Sequence, residues 1–165
     1  MTKIPLTYKL ITLVVILFPL RDEDKVNSSI WQFYAIGGAD ETKCELLDFL
    51  ESFSDKTPEY KAALALIAII KMVQSEVKGP LALRGTSLCH EAIDGEGVYE
   101  FIKKPLRIYW FYGEGEKIVI CAYGIIKRHP RTDKQDRKRL IELRDKYLED
   151  VATDCISISR GRRLS

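Results

Sequence analysis

The chain is poor in the residues that build metal centres and disulfide scaffolds. It has two histidines, His90 and His129, and four cysteines, Cys44, Cys89, Cys121 and Cys155. No two cysteines stand in a Cys-x-x-Cys spacing, and two histidines are too few to complete a ligand set around such scattered thiols. Neither a metal site nor a secreted disulfide framework is expected, and no cofactor is implied. The thiols read as singly buried groups in a reducing cytoplasm. Net charge is also nearly absent, formally +2 over 165 residues, so the overall charge excludes little. Internal repeats and low-complexity tracts are missing, which argues against solenoid and fibrous architectures. The longest apolar run, residues 10–20, is broken by Thr12 and Pro19 and falls short of the ~20 residues a membrane helix needs.

That run follows Lys3 and Lys9 and has the charge and length of a signal-peptide core. No small-x-small cleavage site follows it; Arg21-Asp22-Glu23-Asp24-Lys25 comes next. A weak anchor, an extra strand or helix packed on the core, and an extension from a start codon placed too early all fit. The last is favoured, because the domain pattern begins only near Ser29. Residues 1–28 are therefore set apart as an extension without an assigned role, residues 29–150 as one domain, and residues 151–165 as a basic, flexible tail.

What is present is a core-forming content of 46% hydrophobic residues and a clear order of local patterns. Residues 29–36 are aromatic and β-rich and predict a strand ended by Gly37-Gly38. Asp40 can cap a first helix carrying Cys44, Leu47 and Leu50 on one face, with Leu46 and Phe53 beside them. Thr57-Pro58 opens a second helix as N-cap and first position, stopped by Lys78-Gly79-Pro80. The pair predicts an antiparallel helical hairpin on a short loop. Residues 80–96 read as loop. Three strands then follow on tight turns, residues 98–103, 106–112 and 117–127, and form an antiparallel meander. Thr132 with Gln135 reads as a capping box for a last helix whose Leu140, Leu143, Tyr147 and Leu148 share a face. The fold class expected is α+β.

Charge is concentrated rather than abundant. Between Lys103 and Arg139 stand eleven Lys and Arg but four acids, with a cluster Lys127-Arg128-His129-Pro130-Arg131 where the last strand ends. Such a patch favours a polyanion, most commonly nucleic acid.

The order strand, helical hairpin, meander, helix, with basic residues on the meander, resembles the RelE/ParE superfamily of toxins from bacterial type II toxin–antitoxin systems, in particular its HigB, phage-derived RelE-like branch. The residues that carry the resemblance are Leu83-Arg84-Gly85, Gly97-Val98-Tyr99-Glu100-Phe101, Leu106-Arg107-Ile108-Tyr109-Trp110-Phe111, Gly124-Ile125-Ile126-Lys127-Arg128 and the helix ending Arg144-Asp145-Lys146-Tyr147-Leu148. The match spans roughly residues 29–150 and rests on order and spacing, since each short motif is weak alone. The resemblance implies a cytoplasmic endoribonuclease that enters the ribosome and cuts mRNA there, and a cognate antitoxin that holds it inactive.

Cleavage at a 2′-hydroxyl needs a base for the hydroxyl proton, cations for the charge developing on phosphate, and an acid for the departing 5′-oxygen. RNA supplies its own nucleophile, so the reaction requires no metal. Arg107 lies on the middle meander strand, on the face of Tyr109 and Phe111. The resemblance assigns it and Arg128 to phosphate, which a guanidinium fork grips bidentately. Lys127 is Arg128's neighbour on the opposite face, so one of the two is expected to reach the substrate. His129 is the histidine beside this cluster and a candidate acid or base; His90, in the unpatterned segment, reads as structural. Lys103, Lys104, Arg131 and Lys134, with Arg137, Lys138 and Arg139, are candidate backbone contacts to RNA. The chain departs from the RelE pattern at Glu100 and Ile102, where basic residues are expected, and at Asp133 and Lys134, near the position of an expected tyrosine. Tyr109, Tyr123 and Tyr147 are candidate replacements, and Tyr109 could also stack on a base. A ParE-like poison that binds DNA gyrase without cutting, and an inactive toxin-derived binding module, are the alternatives.

Overall fold

Strands with apolar residues at every position need cover on both faces, and the central strands here have it. The computed structural model describes residues 15–20, 30–37, 43–129 and 131–159. The elements are β1 (Val15–Pro19), β2 (Gln32–Ile36), α1 (Glu45–Glu51), α2 (Pro58–Gln74), a 3-10 turn (Gly79–Ala82), β3 (Cys89–Ile93), β4 (Val98–Lys103), β5 (Leu106–Tyr112), β6 (Ile118–Ile126), α3 (Lys134–Ala152) and β7 (Ile156–Ile158). The strands form one seven-stranded mixed sheet in the order β3-β4-β5-β6-β2-β1-β7. The run β3 to β6 is antiparallel, β2 lies parallel to β6, β1 antiparallel to β2, and β7 parallel to β1. The α+β class expected from the sequence is observed.

Period-two alternation sorts the sheet's side chains into two cores. Phe18, Phe33, Phe101, Ile108, Trp110 and Cys121 face α1 and α2, where Leu46, Leu47, Leu66, Ile70 and Val73 meet them. Leu17, Tyr109, Phe111, Ile120 and Tyr123 face α3, which supplies Leu140 and Tyr147. Phe101 and Trp110 stack with centroids 5.0 Å apart, and Tyr99 stacks on Trp110 at 4.6 Å. Gly124 permits α1 to lie flat on β6: a Cβ there would stand 2.4 Å from the Phe49 ring.

Several sequence expectations need correction. The meander has four strands, because residues 89–93, read as loop, form β3. This strand mixes charged and apolar residues and lies at the sheet's edge with one side wet, so it carries little of the pattern that marks an interior strand. The helical hairpin and the small three-stranded sheet of the expected topology are not matched. α1 is only seven residues long, lies chiefly on β6 and β2, and touches α2 lightly, while α2 lies on β4 and β5. The proposed Asp40 cap falls outside the described residues; the cap position is Cys44, which makes no capping hydrogen bond. Thr57 does cap α2, its hydroxyl accepting from Tyr60 N–H at 3.1 Å with Pro58 as first residue. The helix stops at Gln74, ahead of the expected Lys78-Gly79-Pro80. At α3 the cap is Asp133, which accepts from Gln135 N–H at 2.7 Å, whereas Thr132 donates to the Ala92 carbonyl at 2.8 Å.

The boundary at residue 29 also moves. Val15–Pro19 is a strand between β2 and β7, and Phe18 and Leu20 are fully buried. The buried Gln74 side chain donates to the Leu20 carbonyl, and the Gln74 carbonyl accepts from Ile30 and Trp31 N–H at 2.8 and 3.0 Å, tying the end of α2 to both segments. The expected flexible tail contributes β7 as far as Ile158. Both pairings join distant parts of the chain, which local patterns do not report. Among the described residues no helix is long and apolar enough to cross a membrane.

Phe18→Ala should therefore cost about 3–4 kcal/mol, the range for emptying an aromatic site in a packed core. Urea unfolding checks this; a change below about 1 kcal/mol would show that β1 does not belong to the cooperative core.

Candidate functional site

The chemistry gathers where β4 ends, β5 begins and β6 ends. Register places His90 opposite Glu100, Glu100 opposite Tyr109, and Tyr109 opposite Tyr123, one row across four strands on the α3 face. Arg107 stands one step along the same face, opposite Ile102 and Ile125. Lys127 follows β6, its N–H bonded to the Pro105 carbonyl at 2.9 Å, so the β4–β5 turn and the end of β6 lie side by side.

Glu100 is the centre of the arrangement. It is 1% exposed. Lys127 Nζ lies 3.4 Å from each carboxylate oxygen, and Arg107 Nε and His90 Nδ1 lie 3.7 and 3.5 Å from Oε1. An ionised carboxylate in such a place requires paired cations. His90 Nδ1 is also 3.0 Å from the Glu91 carbonyl. An ionised Glu100 and a carbonyl can only accept, so Nδ1 is placed to donate between them. A cavity of about 320 Å³ opens onto Glu100, Lys127 and His90, with Arg131 and Arg137 on its wall.

The sequence candidates separate into three groups. Arg107 and Lys127 meet at Glu100. Their side chains are 11% and 6% exposed, so they are held cations rather than free arms. Arg107 also donates through Nη1 to the Leu106 carbonyl at 3.2 Å. Lys103, Lys104, Arg128, His129, Arg131 and Lys134 are exposed, and none has a salt-bridge partner among the described residues. Lys127 turns inward and Arg128 outward, as strand alternation anticipates for neighbours. Tyr109 is fully buried, edge-on to Tyr123 at 5.3 Å, and so is not open to a stacked base. Burial pushes its hydroxyl pKa up, with the carboxylates of Asp136 and Glu100 adding to the shift. Tyr123 is shifted the same way, chiefly by burial, and donates to Asp136 Oδ1 at 2.9 Å. Arg139 caps the Tyr123 ring at 4.0 Å and pairs with Glu45, so the start of α3 lies over both tyrosines. Tyr147 donates no acid to the site; its hydroxyl accepts from Glu114 N–H at 3.1 Å at the other end of the sheet.

Two residues of the site escape sequence reasoning. Glu100 counts there as a departure from an expected basic position, and His90 as structural. One signal was available: Glu100 interrupts an apolar strand, Val98–Lys103, and an acid in a strand with no wet face must be paired. His90 had no signal, because its contact depends on β3, which the sequence does not reveal. Among the described residues no group of three or more His, Cys, Asp and Glu side chains is placed to hold a metal ion.

Glu100→Gln should destabilise the fold by about 3 kcal/mol, since it leaves two buried cations without their counter-charge. Urea unfolding of the variant measures this; an unchanged midpoint would show that the three-way pairing does not form.

No protein-family model matches the chain, and a search of curated proteins returned no match.

Proposed function

We propose that this protein is the toxin of a type II toxin–antitoxin pair of the RelE/ParE kind, HigB-like branch, and that it cuts mRNA on the ribosome in the cytoplasm without a metal. The observation that carries the cutting chemistry is the buried Glu100 carboxylate, flanked by Arg107, Lys127 and His90 and opening into a cavity beside exposed cations. Ribosome dependence and an antitoxin partner rest on the sequence resemblance.

In this reading Glu100 takes the proton of a 2′-hydroxyl. The 2′-oxygen bonds to phosphorus, the bond to the 5′-oxygen breaks, and the products end in a 2′,3′-cyclic phosphate and a 5′-hydroxyl. Attacking and leaving oxygens lie on opposite sides of phosphorus. The base is Glu100, with His90 beside it, so the proton for the 5′-oxygen comes from the other side, and His129 at the end of β6 is the candidate donor. As Glu100 becomes neutral, Arg107 and Lys127 lose their internal counter-charge while negative charge builds on the phosphate. Their field then acts on the transition state. Lys103, Lys104 and Arg128 hold the flanking backbone.

A second reading has its own support. Arg107 and Lys127 are both paired with Glu100 and largely buried, as expected of a toxin-derived protein that binds without cutting.

Arg128 and His129 are exposed, so their replacement tests function with little risk to the fold. Induced expression of the whole chain in a bacterial host should arrest growth and create new mRNA 5′ ends inside translated codons. Arg128→Ala with His129→Ala should slow cleavage by about 10²–10⁴-fold, the contribution of a general acid, with an unchanged urea midpoint. Arrest by both proteins without new ends would replace the nuclease by a gyrase-type poison. No arrest by either, given folded protein, would leave the binding module.

A further inference from the structure

A second cavity, of about 680 Å³, runs along the outer edge of β3 and is lined by Leu81, Arg84, Gly85, His90, Glu91 and Asp94. It shares His90, Glu91 and Asp94 with the cavity at Glu100, so the two form one groove around the edge strand. Arg84 is held in place: it bridges to Cys89, and the next residue's N–H, Gly85, bonds to the Cys89 carbonyl at 2.9 Å. Its guanidinium stacks 4.5 Å above the Tyr99 ring. Unlike Arg107, Arg139 and Arg144, it has no carboxylate within salt-bridge distance among the described residues. Gly85 opens the floor beside it, with nothing within 4 Å of where a side chain would begin.

We infer that this β3-edge groove is a nucleotide subsite that binds the RNA next to the scissile phosphate, with Arg84 as its anion contact. The inference rests on the nuclease reading of the Glu100 site. A polynucleotide held by one phosphate must run on in both directions, and the groove leading away from His90 offers it a path. Arg84 also lies against the Tyr112 hydroxyl, and a stacked guanidinium with further N–H donors suits a phosphate or a base edge. Glu91 and Asp94 can accept from the N–H donors on a base edge.

The test is cleavage of mRNA on purified ribosomes at a range of enzyme concentrations, reading the plateau rate and the half-saturating concentration separately. Arg84→Ala should raise the half-saturating concentration about tenfold, as for loss of a charged hydrogen bond, and leave the plateau rate in place. Leu81 is 54% exposed on the groove's rim, so Leu81→Glu and Leu81→Lys change the groove's charge without disturbing packing. The first should weaken binding and the second should not. If the wild type cuts and Arg84→Ala and Leu81→Glu both saturate as it does, the subsite is wrong and the nuclease stands. If the wild type fails to cut, the nuclease reading falls and the subsite falls with it.

Discussion

A carboxylate that is 1% exposed keeps its charge only beside cations, and that requirement organises one end of this molecule. Glu100 on β4 draws Lys127 from beyond β6, Arg107 from β5 and His90 from β3. Each partner comes from a different segment, so the pairing forms only when four strands are in register. Breaking such a pair is costly, while replacing it whole by apolar groups often is not. The ion cluster therefore says less about how the fold is held than about what this end of the sheet is for.

The packing around it comes from the rest of the sheet. Two apolar faces allow helices on both sides, and α3 covers the Tyr109, Phe111, Ile120 and Tyr123 part of the face that carries Glu100. That helix starts at Asp133, immediately after Thr132 is bonded to the Ala92 carbonyl of β3. Its first turns seal Tyr109 and Tyr123 from solvent through Asp136 and Arg139. The tyrosines become packing, and the reactive groups left open are Glu100, His90 and the exposed cations beyond the strand ends.

This division suits the RNA-cutting role proposed above. The inner cations Arg107 and Lys127 share one carboxylate, which offsets part of their charge until it accepts a proton. The outer cations, Lys103, Lys104, Arg128 and Arg131, remain in water and give attraction that is screened by salt. The groove along β3 extends the same surface past Arg84, a cation stacked on the Tyr99 ring.

Local patterns in the chain were enough to place β2, β4, β5 and β6, the Thr57-Pro58 start of α2 and the apolar face of α3, because alternation, helical spacing and capping act over a few residues. They also put Arg107 on the face of Tyr109 and Phe111, where it and Lys127 meet at Glu100. The sequence alone determined which residues are basic, which strands are largely apolar on both sides, and that the cations gather toward the end of the meander. Tertiary structure decided the rest: that β1 and β7 complete the sheet, that β3 is its edge, that Tyr109 is buried, and that Glu100 and His90 stand between the cations. Those facts depend on pairings between segments far apart in the chain, such as Leu17 with Ile158 and His90 with Glu100. A contact of that kind leaves no periodic trace in either segment, because the burial that enforces it exists only once both strands are in place.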